Sequence, residues 1–401
     1  MTASHNKGNV KEEVMALLLS SILMFGYPFN MYVEYLIAAI MACVICMHVP
    51  KRALNCKLHN YILFCGIVWV ISCLYSSNRV FALKYMFMYF AAYAIVVNLS
   101  TDTFRRMLKY LLILGGVHVA FVILDFFDHG LVINLSSKFL NGDQIDINNQ
   151  LRMYSGACAG VTGQTGQAAL FIVIFMFAAV ALAIKEKIYM LLLVPAVIAL
   201  LLTQKRSFLG FGVLLSLGYL LYEAKTASKL AKMMMVVLFV AALFLVQYYI
   251  KSYFDVSAVL DKFEGGSMSN RDVLWKKMFA LFKSSPLIGI GLYSTDVIMG
   301  MTGHNVYIQL LCENGILGAP FFFVLFYKCL KISRKSKENT DIVAFSRLIM
   351  WFTLAYGLFG NPIYEIQTLT LFFISTAVLD RTVAEMDGAS KSYILKSCQG
   401  K

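Results

Sequence analysis

Five basic side chains in this sequence could do chemistry, because they stand apart from the blocks of lysine and arginine elsewhere in the chain. Arginine carries a permanent, planar charge that grips a phosphate group through two parallel hydrogen bonds. Histidine exchanges a proton near neutral pH and can act as a general base or acid. Together these types predict a site that binds a phosphorylated group and moves a proton. The five are Arg152 in LRMYSG, Lys205 and Arg206 in TQKRSFLGFG, Arg271 in SMSNRDVLWKKMF, and His304 in TGHNVYIQLLCENGILGAP.

The residues after His304 suggest how it is held. Asn305 can accept hydrogen bonds from the first backbone N–H groups of a helix, so we expect it to cap a helix that begins here. Glu313 falls about two and a half turns into that apolar helix, where a carboxylate facing lipid would be costly. We therefore expect Glu313 to face the protein interior or a cavity, and both residues to support the site.

Each of the basic residues also has a plainer interpretation, which the sequence leaves open. Lys205 and Arg206 could extend to lipid headgroups without binding a ligand. Arg152 and Arg271 could be solvated loop charges, and the His304–Asn305 pair could be a helix cap only.

Four further polar residues have simpler expectations. His118 is expected to be a buried, hydrogen-bonded histidine, whereas Asp125 and Asp128 are expected to face water at a helix end. Glu365 lies in the short turn NPIYE, where it either complements the arginines or is solvated.

The composition requires a membrane around these residues. Of the 401 residues, 60% are hydrophobic and only 14% are charged, and the mean hydropathy is +0.72. A soluble domain is closer to half apolar and a quarter charged, so most of the surface must face lipid. The formal net charge of +13 comes from short basic blocks between apolar runs, which indicates loop topology and not nucleic-acid binding.

A spanning helix needs roughly 20 mostly apolar residues, and this rule predicts an all-α polytopic protein of about twelve transmembrane helices. They would form a single integral membrane domain over residues 1–401. The N-terminus lacks a cleavage site, so we expect no signal peptide. The predicted runs are 13–29, 32–49, 60–76, 79–99, 107–127, 164–184, 188–203, 207–222, 233–250, 306–328, 345–360 and 366–380.

The basic blocks orient these helices. Every block follows an even-numbered run, so all lie on one side, which is the cytoplasm by the positive-inside rule. Both chain ends are then cytoplasmic. Two long loops, 128–163 and 251–305, face outward and hold most of the acidic residues outside the termini. Long loops on one side indicate that the function lies there.

The sequence offers little for cofactors. Among the nine cysteines only Cys158 falls in an outer loop, so we expect no disulfide. The Gly-Ile-Gly at 289–291 follows no strand and is therefore no nucleotide fingerprint. There is no paired-carboxylate motif, so no metal is expected.

Three strings, in this order and at this spacing, resemble the signature of the O-antigen polymerase and O-antigen ligase superfamily. The resemblance covers residues 155–325, and the surrounding helix pattern is similar as well. The strings are TQKRSFLGFG, NRDVLWKKMFALFKSSPLIGIG and HNVYIQLLCENGILG.

The resemblance implies a GT-C-like glycosyltransferase of the bacterial inner membrane that takes glycan from undecaprenyl diphosphate at the periplasmic face. By motif, Arg206 and Arg271, with Lys205 and less closely Arg152, would bind the diphosphate. His304 would serve as base or orienter for the acceptor hydroxyl, which attacks the anomeric carbon as polyprenyl diphosphate leaves. Membrane lipids and a chain-length regulator are further candidate partners, and no metal is implied.

Polymerase and ligase share these motifs and differ in the acceptor, which is a second lipid-linked repeat unit or lipid A–core. Arg271 and His304 are only about thirty residues apart, whereas the ligases that this sequence resembles carry a longer segment there, which favours the polymerase. A lipid-linked oligosaccharide flippase would place its charges within the helices, but here the singular basic residues cluster in loops. A non-catalytic scaffold would not need the histidine and arginines.

Overall fold

The structure is a computed structural model that describes residues 2–25, 58–223, 271–336 and 340–399. The elements within these ranges are helices, which agrees with the predicted all-α class. The predicted runs 32–49 and 233–250, and residues 251–270 of the second long loop, lie outside them. The α-helices are α1 Thr2–Phe25, α2 His59–Leu74, α3 Arg79–Asn98, α4 Thr101–Phe127, α5 His129–Ser136, α6 Gly142–Ser155, α7 Thr165–Leu182, α8 Leu193–Leu202, α9 Arg206–Glu223, α10 Arg271–Ser284, α11 Ser294–Met299, α12 Val306–Lys335, α13 Asp341–Tyr356 and α14 Ile366–Gln399.

Each predicted run within the described part coincides with helix, with one change. The run 188–203 is a 3₁₀ helix, Lys187–Leu192, followed by the short α8. The first long loop is itself largely helical, because α5 and α6 fall within it. Among the described helices, four are long and apolar enough to cross a membrane, namely α3, α4, α7 and α12. The described helices suit a membrane protein, and the total of twelve spans stays a prediction.

The chain divides into two compact units, residues 1–44 with 102–267 and residues 45–101 with 268–401. In the first unit α7 is the central helix, since 94% of it is buried by protein. On Gly115 of α4 a Cβ would lie 2.6 Å from Cβ of Phe175, and on Gly212 of α9 it would lie 2.8 Å from the Val173 side chain. Glycine thus lets both helices approach α7 closely, as small residues do at membrane-helix crossings.

The second unit is organised around a buried aromatic cluster. Trp69 of α2 is fully buried. Its ring lies 5.0 Å from that of Tyr89 in α3, 5.6 Å from that of Phe322 in α12 and 5.4 Å from that of Tyr364. Tyr364 belongs to the turn between α13 and α14, so this cluster joins three helices to that turn.

Candidate active site

Helix α12 is broken at Gly315, and a second stretch of chain fills the break. Gly315 has φ 61° and ψ −171°, so the backbone groups around it lose their helical partners. The loop 286–291 replaces those partners through four hydrogen bonds. They run from Ile290 N–H to the Cys312 carbonyl (2.8 Å), Gly291 N–H to that of Glu313 (3.1 Å), Ile316 N–H to that of Pro286 (2.9 Å) and Leu317 N–H to that of Leu287 (3.1 Å).

Glycine is required on both sides of this junction. A Cβ on Gly315 would collide with the carbonyl oxygen of Leu287, and one on Gly289 would collide with the backbone of Glu313. Both glycines also have positive φ, which other residues rarely adopt. The strings PLIGIG and ENGILG therefore form one structural element, in which glycine serves close backbone approach.

Gln309 is the centre of a buried polar network near the start of α12. Its side chain is fully buried. The amide nitrogen donates to Oε1 of Glu313 (3.0 Å) and to Oδ1 of Asp296 (3.3 Å), and the amide oxygen accepts from the Asn361 amide. The opposite amide orientation would point its oxygen at two carboxylates, so the partners fix the amide one way round.

Glu313 is fully buried, which confirms the expectation that it faces the interior. Its Oε2 accepts from the Tyr364 hydroxyl at 2.7 Å, and its Oε1 accepts from the Gln309 amide at 3.0 Å. A buried carboxylate is stable only when hydrogen bonds of this kind replace its water. The turn NPIYE is thereby tied to α12.

Two acidic residues outside the long apolar helices have raised pKa values. Burial raises the pKa of Asp296, in the short α11, to about 6. Burial raises the pKa of Glu365 to about 7 against a weaker opposing hydrogen bond from Thr368. Glu365 is thus no fully solvated turn residue. Asp296 was missed as a site residue, because its only sequence signal was its place among the acids of the second long loop.

His304 is exposed and lies just before α12 in the left-handed backbone region, with φ 50°. Such a conformation costs a non-glycine residue about 1–3 kcal/mol and persists where neighbours impose it. Asn305 is one of these neighbours. It caps α12, as predicted, by accepting from the N–H groups of Tyr307 and Ile308 at 3.1 Å, and it donates to the Leu358 carbonyl at 3.3 Å.

Arg271 and the His304 loop meet the same stretch of chain, residues 357–361, which follows α13. The Arg271 guanidinium lies 5.6 Å from the ring centroid of Phe359. The Gly357 carbonyl accepts from Val306 N–H at 2.9 Å, and Asn361 reaches Gln309. The 357–361 segment thus gathers a cation, the histidine loop and the buried network within one unit.

In the first unit, Lys205 and Arg206 lie where α9 begins. The chain turns at Gln204, whose φ is 55° and whose side-chain amide donates to the Ser155 carbonyl. Arg206 is exposed as the first residue of α9. Two cations at the start of a helix, where the helix dipole also favours negative charge, make a turn that can receive a phosphate.

Arg152 contacts residues of the chain segments on either side of it. Its guanidinium donates at 3.0 Å to the carbonyls of Gly156 and Phe126 and to the sulfur of Cys158. These contacts join the end of α6 to the end of α4. They support a structural role for Arg152, and its diphosphate-binding role stays a prediction.

The expectation that Asp125 faces water is wrong. Asp125 is fully buried at the end of α4, where its Oδ2 accepts from the N–H groups of Ala159 and Gly160 and its Oδ1 lies 2.6 Å from Nδ1 of His129. Asp125 thereby fixes the loop that precedes α7. His118 is buried and bonded to the Met24 carbonyl at 2.7 Å, as expected.

Within the described ranges, no group of three or more His, Cys, Asp or Glu side chains could hold a metal ion.

Comparison with known proteins agrees with the sequence motifs. A family model described as O-antigen ligase matches residues 188–323. The matched range contains Arg206, Arg271, His304 and both sides of the Gly315 junction, and it leaves out Arg152. This match confirms the resemblance to the O-antigen polymerase and ligase superfamily. No curated protein matches the chain.

The junction predicts a sharp difference between two glycines. Gly315→Ala should lower the free energy of unfolding by at least about 2 kcal/mol, because the new methyl group meets the Leu287 carbonyl and its φ is positive. Gly210→Ala in α9 meets no atom within 4 Å and should be neutral or slightly stabilising. Denaturant titration of the detergent-solubilised variants measures both. Equal stability of the two variants would contradict the close approach.

Proposed function

We propose that this protein is an O-antigen polymerase, a glycosyltransferase that joins undecaprenyl-diphosphate-linked repeat units at the periplasmic face of the bacterial inner membrane. The apolar helices and the family match support a bacterial membrane protein of the O-antigen polymerase or ligase type. The polymerase activity, the periplasmic site and the cytoplasmic termini are our proposals.

The observation that carries the proposal is the gathering of Arg271 and the His304 loop at the 357–361 segment. Transfer of a glycan from a lipid diphosphate needs a cation for the leaving group and a base for the attacking hydroxyl. Phe359 holds the guanidinium of Arg271 by its ring face. Asn305, the residue next to His304, donates a hydrogen bond to the carbonyl of Leu358. The two required groups are therefore fixed by neighbouring residues.

In the proposed reaction, Arg271 binds the diphosphate. The family resemblance implies diphosphate binding for Arg206 and Lys205 as well. Guanidinium groups stabilise the charge that grows on the diphosphate as the glycosidic bond breaks. The acceptor sugar hydroxyl attacks the anomeric carbon and gives its proton to the imidazole of His304. The acceptor is a second lipid-linked repeat unit.

A ligase is the second candidate, and the description of the matched family model favours it. A ligase would use the same residues and transfer the glycan to lipid A–core. The short segment between Arg271 and His304 favours the polymerase. A lipid-linked oligosaccharide flippase is the alternative from another class, although the exposed His304 and Arg206 are unlike charges that line a cavity within helices.

Deleting the gene in its host and separating the lipopolysaccharide on a silver-stained gel tests these functions. We expect core that carries a single repeat unit, because units are still exported and ligated but not joined. Bare core with polymer accumulating on the lipid carrier would identify the ligase instead. Bare core without polymer would identify the flippase, and an unchanged ladder would refute all three.

Arg206→Ala and Arg271→Ala should each reduce polymer formation about ten- to hundredfold, because each removes charged hydrogen bonds to the diphosphate. Lysine at either position should restore little, since it cannot bind bidentately. Arg334→Ala, which removes an exposed cation at the other end of α12, is the matched control and should keep full activity. Full rescue by lysine at both positions would argue against bidentate binding.

His304→Ala should reduce the rate about 100-fold or more, the usual contribution of a general base. Met301→Ala changes an exposed residue of the same loop and should leave the rate unchanged. Both are measured in a complemented deletion strain and with purified protein and the lipid-linked repeat unit. Full activity of His304→Ala would show that the base is another residue.

A further inference from the structure

The first unit contains a half-open cavity of about 480 Å³ between the C-terminal half of α4 and the chain around the end of α5. This volume falls within the roughly 300–1,000 Å³ of small-molecule pockets. Phe25 of α1 and Val117 and Phe121 of α4 line one side. Leu135 and Phe139 line the other. Because these side chains are apolar, the cavity suits hydrocarbon and does not suit a sugar or a nucleotide.

Lys138 brings a positive charge to this apolar cavity. It lines the cavity together with its neighbour Phe139, and it is exposed. Its long side chain can lie along apolar surface while the ammonium group stays in water. Basic residues beside apolar pockets of membrane proteins bind the headgroups of anionic lipids. The cavity and Lys138 together therefore match a molecule with a hydrocarbon chain and an anionic head.

The segment 156–164, which joins α6 to α7, connects this cavity with the turn at 204–206. Val161 of this segment lines the cavity. The N–H of Cys158 donates to the carbonyl of Leu202 at 2.9 Å, just before the turn begins. The cavity and the two cations of the turn are thus held by the same short segment of the first unit.

Two close approaches place Lys138 and Lys205 near this segment. A Cβ on Gly163 would lie 3.0 Å from Cδ1 of Leu140, two residues after Lys138. A Cβ on Gly166, in the first turn of α7, would lie 4.0 Å from Cε of Lys205. The chain around residues 163–166 is therefore approached from the cavity by one cationic stretch and from the turn by another.

We propose that the cavity binds the prenyl chain of the lipid-linked donor next to its diphosphate, which Lys138 binds together with the Lys205–Arg206 turn. This inference rests on the proposed glycosyl transfer and deepens it, since it assigns a place to the carrier chain. A polyprenyl diphosphate has one chain and two phosphates, whereas a phospholipid has two chains and a single phosphate. One cavity with cations at two positions suits the polyprenyl diphosphate. Helix α4 is long and apolar enough to cross a membrane, so the chain can enter from the bilayer.

Binding of undecaprenyl diphosphate to the detergent-solubilised protein, measured by native mass spectrometry, tests the chain site. Leu135→Trp should weaken this binding at least about tenfold, because the indole displaces chain atoms from their packing contacts. Leu131→Trp is the matched control. It makes the same change one turn earlier in α5, at an exposed residue outside the cavity lining, and should bind like wild type. Equal binding by the two variants would overturn the proposal.

The headgroup contact has its own pair of variants. Lys138→Gln should weaken binding of undecaprenyl diphosphate about fivefold, the contribution of one lysine near an anionic lipid. Binding of undecaprenol, which lacks the phosphates, should not change. Lys187→Gln removes another exposed lysine of the same unit and should have no effect. An equal loss for undecaprenol and for the diphosphate would contradict a headgroup role for Lys138.

Dioleoyl-phosphatidylglycerol distinguishes the carrier from a bilayer lipid. It should bind at least about tenfold more weakly than undecaprenyl diphosphate and should be insensitive to Leu135→Trp. Binding as tight as that of undecaprenyl diphosphate, with the same loss in Leu135→Trp, would show a site for a bilayer lipid and overturn the proposal.

Photochemical cross-linking of the wild-type protein avoids any effect of a substitution on folding. A prenyl diphosphate that carries a benzophenone on its chain should label peptides that cover residues 117–121 and 135–139, and unlabelled undecaprenyl diphosphate should compete. Labelling confined to other peptides would overturn the proposal. Neither measurement requires glycosyl transfer. Competed labelling in a protein whose deletion leaves lipopolysaccharide unchanged would therefore refute the proposed function but leave the chain site standing.

Discussion

The backbone junction at Gly315 is the constraint on which the rest of the second unit depends. A helix broken inside an apolar environment exposes carbonyl and N–H groups whose desolvation costs several kcal/mol each when they are unpaired. The loop 286–291 satisfies two of each. Because that loop is fixed against α12, the residues that follow it also lie beside α12. Asp296 reaches Gln309 as a result.

The acids of this unit are held by neutral donors within the described network. Glu313 accepts hydrogen bonds from the Gln309 amide and from the Tyr364 hydroxyl. An arginine placed between Asp296 and Glu313 would pair with both carboxylates. Its guanidinium would then be less available to bind a ligand. Neutral donors hold the carboxylates by geometry alone. Arg271 is then free of this network and packs on Phe359 instead.

The features that the sequence predicted are those set by local pattern. Apolar runs of sufficient length predicted helices, and the Asn305 cap follows from a residue type placed directly before such a run. The interior position of Glu313 follows from the cost of a carboxylate in lipid. The errors and omissions are non-local. Asp125 lies at the end of a helix like a solvated acid, but the loop more than thirty residues later brings two N–H groups onto it. Gln309 and Asn361 look like ordinary polar residues until their separate parts of the chain meet.

Arg152 and Arg271 look alike in the sequence because the groups that surround each guanidinium are seen only in the fold. Each is a lone arginine in a long loop, and the difference lies in what surrounds the guanidinium. Carbonyl oxygens and a sulfur receive the donors of Arg152, so a phosphate there would have to displace bonds that already exist. The guanidinium of Arg271 is supported by an aromatic face, which orients the group without using its N–H donors. An arginine held by its face can still bind a diphosphate through its edge, and this geometry is why Arg271 is the stronger candidate.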